Sequence, residues 1–174
     1  MEFQSCFDII GPIMIGPSSS HTAGAVSIGK FAYHLLGETL PNQATITLYD
    51  SFSQTYQGHG TDKALIGGLL GMGTDDTRIK QALNLAERYG VEYTFQLKES
   101  CPYFDHPNVA VISAKNSRQK VKVGGASLGG GLAKIFSIND YEVDIRVSTD
   151  DDLGGNLSSL IPRLSLKSRM EVLK

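Results

Sequence analysis

Two cysteines, Cys6 and Cys101, are all the thiol chemistry this 174-residue sequence carries. So far apart, they make neither a disulfide framework nor a CxxC metal pair, and in a cytosolic protein they read as free thiols. They also fall short of the three or four thiolates of an all-cysteine iron–sulfur site, so any such cluster would have to be held mainly by another polypeptide. No run approaches the roughly 18 apolar residues needed to cross a bilayer. Excess charge is missing as well: 16 Lys and Arg stand against 18 Asp and Glu, a formal net charge of −2. A nucleic acid or an anionic membrane would want a basic face, so neither is an expected partner. The opening MEFQSCFDIIGPIMIGPSSS lacks a basic n-region and carries Glu2 and Asp8, which argues against a secretory signal. Internal repeats are absent, which excludes solenoids. The expectation is a soluble cytoplasmic protein of essentially one domain, long enough to bury roughly 70% of its unfolded surface.

Periodicity then gives an outline. Ala25, Ile28, Ala32, Leu35 and Leu36 follow helical spacing after the Ser18-Ser19-Ser20 cluster, and Gly37 is a natural stop. Ala44–Tyr49 alternates as a strand. A second helix is expected from Thr61 or Asp62 to about Leu70, its Gly67-Gly68 pair implying close packing because each glycine costs about 1 kcal/mol of propensity. Asp75-Asp76 should cap a third helix over Thr77–Tyr89, closed by Gly90. Val91–Leu97, Asn108–Ala114, Gln119–Val123 and Ala133–Val147, the last interrupted at Asn139-Asp140, read as strands, with hairpin turns at Lys115–Ser117 and Ile138–Tyr141. Helices early and a meander late predict an α+β fold: an antiparallel sheet with helices packed on one side. The domain should span residues 1–147, with 148–174 an acidic linker and a mobile tail broken by Pro162.

Three of the four histidines fall in Gly- or Pro-punctuated segments. In Gly16-Pro17-Ser18-Ser19-Ser20-His21-Thr22-Ala23-Gly24 a helix start offers free amides and a positive dipole end, which with three hydroxyls suits a carboxylate or phosphate. One serine suffices for a cap, so the others could simply be solvated. In Gln57-Gly58-His59-Gly60-Thr61-Asp62 the glycines leave the imidazole on an exposed loop, and Asp62 could either cap the next helix or orient His59. In Cys101-Pro102-Tyr103-Phe104-Asp105-His106-Pro107-Asn108, Pro107 keeps His106 extended and Asn108 could present its amide, unless this is an ordinary strand entry. His34, near the end of the first helix, reads as structural. The Gly-rich Gly124–Gly131 has no P-loop or GxGxxG spacing, so a tight bend or close backbone packing is the better reading. Without HExxH or a comparable helical pair, no metal held wholly by this chain is expected.

Phe7–Gly24, with its GPSSSHTAG string, resembles the opening of the beta subunits of iron–sulfur-dependent L-serine dehydratases. The resemblance continues in order through Tyr56–Asp62, Asp105–Asn108, Ser127–Gly131 and Ile138–Val143, covering about residues 3–147. It implies a heteromeric lyase that converts L-serine to pyruvate and ammonia. It also implies a [4Fe–4S] cluster on the alpha subunit, acting as a Lewis acid on the serine hydroxyl. The fold it implies is like the allosteric substrate-binding domain of some 3-phosphoglycerate dehydrogenases. In that family the domain usually continues into an ACT domain, and none is expected within the short stretch after Val147. The expected partners are the alpha subunit, L-serine and, as a further candidate, a second copy of this chain. His59 is the favoured acid/base group, with His21 the alternative and Asp62 orienting. Ser18, Ser19, Ser20 and Thr22 would hold the substrate carboxylate, while His106 and Asn108 complete the wall. Two other readings stay open: a serine- or anion-binding regulatory module with no catalytic group, and a docking scaffold. The isolated chain should be inactive, with an incomplete, exposed face around its histidines.

Overall fold

The computed structural model describes residues 20–148, apart from the side chain of Ser20. Ser18, Ser19, Cys6 and the expected tail from residue 149 onward lie outside the described residues.

Helix α1 (Ser20–Leu35) is followed by strand β1 (Gln43–Tyr49), then by α2 (Asp50–His59) and α3 (Thr61–Leu69). A 3-10 turn (Thr77–Gln81) runs into α4 (Ala82–Arg88), after which come β2 (Glu92–Lys98), β3 (Val109–Lys115), β4 (Lys120–Gly129), β5 (Leu132–Ile138) and β6 (Tyr141–Val147). The strands form one six-stranded sheet in the order β2-β1-β3-β4-β5-β6. All neighbours are antiparallel except β1 and β2, which run parallel. The α+β fold is therefore as expected, with one parallel pair added. Its cause is the long crossover through α2, α3 and α4, which returns the chain in the direction it left, as a parallel connection must.

Gly37 and Gly90 close α1 and α4 at φ +70° and +72°, the left-handed region where glycine has no Cβ penalty. Both expected hairpins form. Asn116 Oδ1 accepts from the amides of Arg118 and Gln119 at 2.9 Å, while Asn139 and Asp140 turn the β5–β6 hairpin at φ +50° and +69°.

Two expectations need correcting. His59, expected on a loop, is the last residue of a helix, Asp50–His59, for which the sequence offered no reading. The segment's polar DSFSQTYQGH has little helix propensity and buries only Phe52, so tertiary contact rather than pattern makes it a helix. The third helix is split: Asp76 caps a 3-10 turn by accepting from Arg78 N–H at 2.9 Å, and the chain resets at Gln81 before α4 starts. Of the two readings of the Gly-rich segment, close packing holds over Gly124 and Gly125, where an added Cβ would meet Phe136 or Ile28, and the bend comes only at its end, since β4 runs on with register shifts after Gly124 and after Ser127. The bend is the run Gly129–Gly131, at φ +91°, +62° and +81°.

The main core lies between the helices and one sheet face, with Ile28, Phe31, Leu65, Ile66 and Leu69 from the helices meeting Ile46, Ile112, Val123 and Ile135 from the strands. Gly125 lets α1 come in close, since a Cβ there would sit 2.8 Å from Ile28. A smaller cluster of Tyr49, Val109, Val111, Ala126 and Phe136 occupies the other face, covered by Cys101 and Phe104 from the β2–β3 connection. The Phe104 and Phe136 rings stack with centroids 4.9 Å apart, which fixes the connection just before His106.

Candidate active site

Three segments far apart in sequence meet where α1 begins. His21 is exposed in the first turn of α1, and its backbone carbonyl accepts a 2.7 Å bond from the hydroxyl of Ser127 on β4. The next residue, Thr22, is only 4% exposed and donates its hydroxyl to the carbonyl of His59 at 3.1 Å. His59 is the last residue of α2 and its side chain is exposed. Gly60, at φ +68°, both ends α2 and starts α3, a sharp reversal that leaves His59 at the corner. The third segment joins through β4: Ser127 N–H donates to the carbonyl of Asn108 at 2.9 Å. Asn108 N–H in turn donates to Nδ1 of His106 at 3.1 Å.

That last bond has a chemical consequence. An Nδ1 that accepts carries no proton, so neutral His106 bears its proton on Nε2 as a hydrogen-bond donor. Burial lowers the proton affinity of His106 below the ordinary histidine value, and the neighbouring His21 adds to the effect while Asp105 opposes it. His106 and Asn108 are both half-buried beside the exposed His21.

The first turn of α1 carries no acidic side chain, so nothing in it offsets the positive end of the helix dipole. Of the residues expected to hold a carboxylate, Ser20 opens the helix, while Thr22 is turned inward to α2. Asp62 is also turned inward. It is 6% exposed, accepts from its own helix at Lys63 N–H (2.7 Å), and is pushed above the usual carboxylate range by burial. No hydrogen bond links it to His59, so of the two roles expected for it the structure shows the helix-start contact. His34 stands apart, with Nδ1 3.1 Å from Glu38.

Sequence reasoning gave no individual role to Ser127 and missed Asp50. Ser127 is 0% exposed, and the lone hydroxyl of its strand, set just after Gly124-Gly125-Ala126, must find a partner when buried, which was the available signal. Asp50, at φ +48°, accepts from Cys101 N–H at 3.2 Å, and Phe52 N–H donates to the carbonyl of Pro107 at 3.4 Å. The start of α2 therefore holds the connection that leads to His106, while its end carries His59.

Among the described residues, no three His, Cys, Asp or Glu side chains are grouped so as to hold a metal ion. Cys101 is a free thiol, half-buried against the smaller apolar cluster.

A family model of the serine dehydratase beta chain matches residues 5–125. The chain is 46% identical over 143 residues to the probable L-serine dehydratase beta chain of Bacillus subtilis (strain 168), covering 82% of this chain and 64% of that one. It is 42% identical over 147 residues to the L-serine dehydratase beta chain of Peptoniphilus asaccharolyticus, covering 84% of this chain and 65% of that one. The L-serine dehydratase of Helicobacter pylori (strain ATCC 700392 / 26695) matches at 28% over 180 residues, 92% of this chain but 38% of its own length. The chain thus spans a little under two thirds of the length of the two beta chains it matches.

Proposed function

This chain belongs to the serine dehydratase beta chain family, and from that premise we propose that it is the beta subunit of a heteromeric L-serine ammonia-lyase. In this reading it supplies substrate-binding and acid/base groups to a composite site, while an alpha subunit carries a [4Fe–4S] cluster. The observation that supports it best is that hydrogen bonds bring together, at the start of α1, the segments bearing His21, His59 and His106.

The division of labour follows from the geometry. The substrate carboxylate docks at the start of α1, where the amides and the dipole favour an anion. His106 offers Nε2–H to a carboxylate oxygen. His59, exposed at the corner between α2 and α3, accepts the poorly acidic Cα proton, with His21 as the alternative; a positioned acid/base group contributes typically about 10²–10⁴-fold. The departing hydroxyl is assigned to the partner. Loss of water leaves an aminoacrylate, which tautomerises and hydrolyses to pyruvate and ammonia. The same reading puts the complex in the cytoplasm, in serine catabolism, and keeps a second copy of this chain as a further candidate partner. No helix among the described residues is long and apolar enough to cross a membrane.

The test is an anaerobic assay of pyruvate formation from L-serine with this chain alone, its cluster-bearing partner alone, and both together. Activity only in the mixture is the expected result. Full activity from the partner alone would overturn the catalytic role and leave a regulatory module, to be examined by calorimetric titration with serine.

A further inference from the structure

We infer that Ser127 is a positioning residue that sets the spacing of His21 from His106. Three observations meet on this residue. Its hydroxyl donates to the carbonyl of His21, which orients the first turn of α1 (2.7 Å). Its own amide donates to the carbonyl of Asn108, the residue whose N–H fixes Nδ1 of His106. And it is fully buried, so neither bond is shared with bulk water.

The packing around it is built for this contact. A Cβ at Gly24 would run into Ser127 Oγ and lie 2.7 Å from the carbonyl of Leu132, so only glycine lets α1 approach β4 closely enough for the hydroxyl to reach His21. Six residues along α1 from His21, Ser27 makes a second tie of the same kind, donating to the carbonyl of Gly131 at 2.8 Å. The helix start is thus stitched to the β4–β5 turn by hydroxyl-to-carbonyl bonds, which leave the imidazole of His21 free. Ser127 touches no reacting group. It acts by holding the backbone of one histidine in register with the strand entry that bears another, and misplacement of about 1 Å in such a constellation can cost 10²-fold in rate.

The functional weight of this inference rests on the reading above, so its test has one arm that needs no activity. Histidine ring resonances of the full chain are titrated by NMR in the wild type, Ser127→Ala, Ser127→Cys and His21→Gln. His21→Gln removes the neighbouring imidazole outright and sets how far His106 moves up when that influence is gone. In Ser127→Ala the His106 midpoint should move up by part of that amount while His34 stays put. Ser127→Cys, which keeps a weaker donor in place, should fall between and also serves should the alanine variant fail to fold. In the reconstituted complex Ser127→Ala should lower kcat/KM for serine roughly tenfold, mainly through KM. Unchanged His106 titration in folded Ser127→Ala, with only a lower unfolding temperature, would overturn the inference and leave Ser127 as a space-filling core residue. Absence of pyruvate from wild type and variant alike would refute the lyase reading while leaving the NMR result standing.

Discussion

The two parts of helix α1 are held by opposite means. Around Gly29 the contact is dry and backbone against backbone: a Cβ on Gly29 would collide with the carbonyl of Leu65, and one on Gly68 of α3 with the carbonyl of Val26. Ala25, Val26, Ile28, Phe31 and Ala32 beside this crossing are each no more than 2% exposed. Around His21 the helix is held by single hydroxyls, Thr22 to His59 and Ser127 to His21, with the imidazole rings left outside. The crossing cannot shift without unpacking the core. The start can be altered one hydrogen bond at a time. A fold that needs exposed chemistry at a fixed place can obtain it by anchoring the same helix firmly further along.

The largest effect should come from the exposed end and be invisible in stability. His59→Ala in the reconstituted complex is expected to lower kcat by about 10²–10⁴-fold, the contribution of a positioned acid/base group. Its unfolding temperature should stay that of the wild type, because the side chain is exposed and makes no side-chain hydrogen bond among the described residues. Near-normal turnover would move the assignment to His21.

Next in size, and opposite in kind, are Gly29→Ala and Gly68→Ala. The added methyl meets backbone rather than a flexible side chain, so the helices must separate, at a cost of about 3 kcal/mol. At about 2–4 °C per kcal/mol for a chain of this size, thermal unfolding should fall by roughly 6–12 °C. Turnover per folded molecule below that transition should be preserved. If either glycine variant instead lost activity with its stability intact, the distinction between the two parts of α1 would fail.

How much of this was legible beforehand depended on whether a residue answers to pattern or to contact. Gly37, Asn116 and the Asn139-Asp140 pair announce their turns locally, and Ile28 and Leu35 announce a helix by spacing, so α1, β1 and the hairpins could be read off directly. The convergence of His21, His59 and His106 was suggested by their punctuated settings and by the family resemblance. Helix α2 was not legible: its polar residues hold a helical shape because Phe52 packs inward and Asp50 accepts a left-handed backbone to engage Cys101. The parallel β1–β2 pair depended on that unseen crossover. The inward turns of Thr22 and Asp62 were equally hidden, because a hydroxyl or carboxylate beside a histidine reads the same in sequence whether it faces substrate or its own helix.

The smallest effect is a pH dependence, and it tests whether His106 belongs to the polar end or to the core. Its folded-state proton affinity lies below the ordinary value of 6.5, through burial first and His21 second, with Asp105 acting the other way. Between the lowered value and about 6.5 the unfolded chain therefore binds more protons than the folded one, so stability rises with pH across that window and the penalty is complete below it. Protonation must also break the Asn108 N–H to Nδ1 bond. Asp62, raised by burial, contributes in the opposite sense, losing stability as pH rises from about 3.8 through its raised value. Urea midpoints between pH 5 and 8 should thus climb more steeply in the wild type than in His106→Gln, which keeps an acceptor but cannot titrate. Parallel slopes for the two proteins would mean that His106 is as free as a surface histidine. Asn108 would then fix its ring only loosely, and the strand entry could not be counted with His21 and His59 as one site.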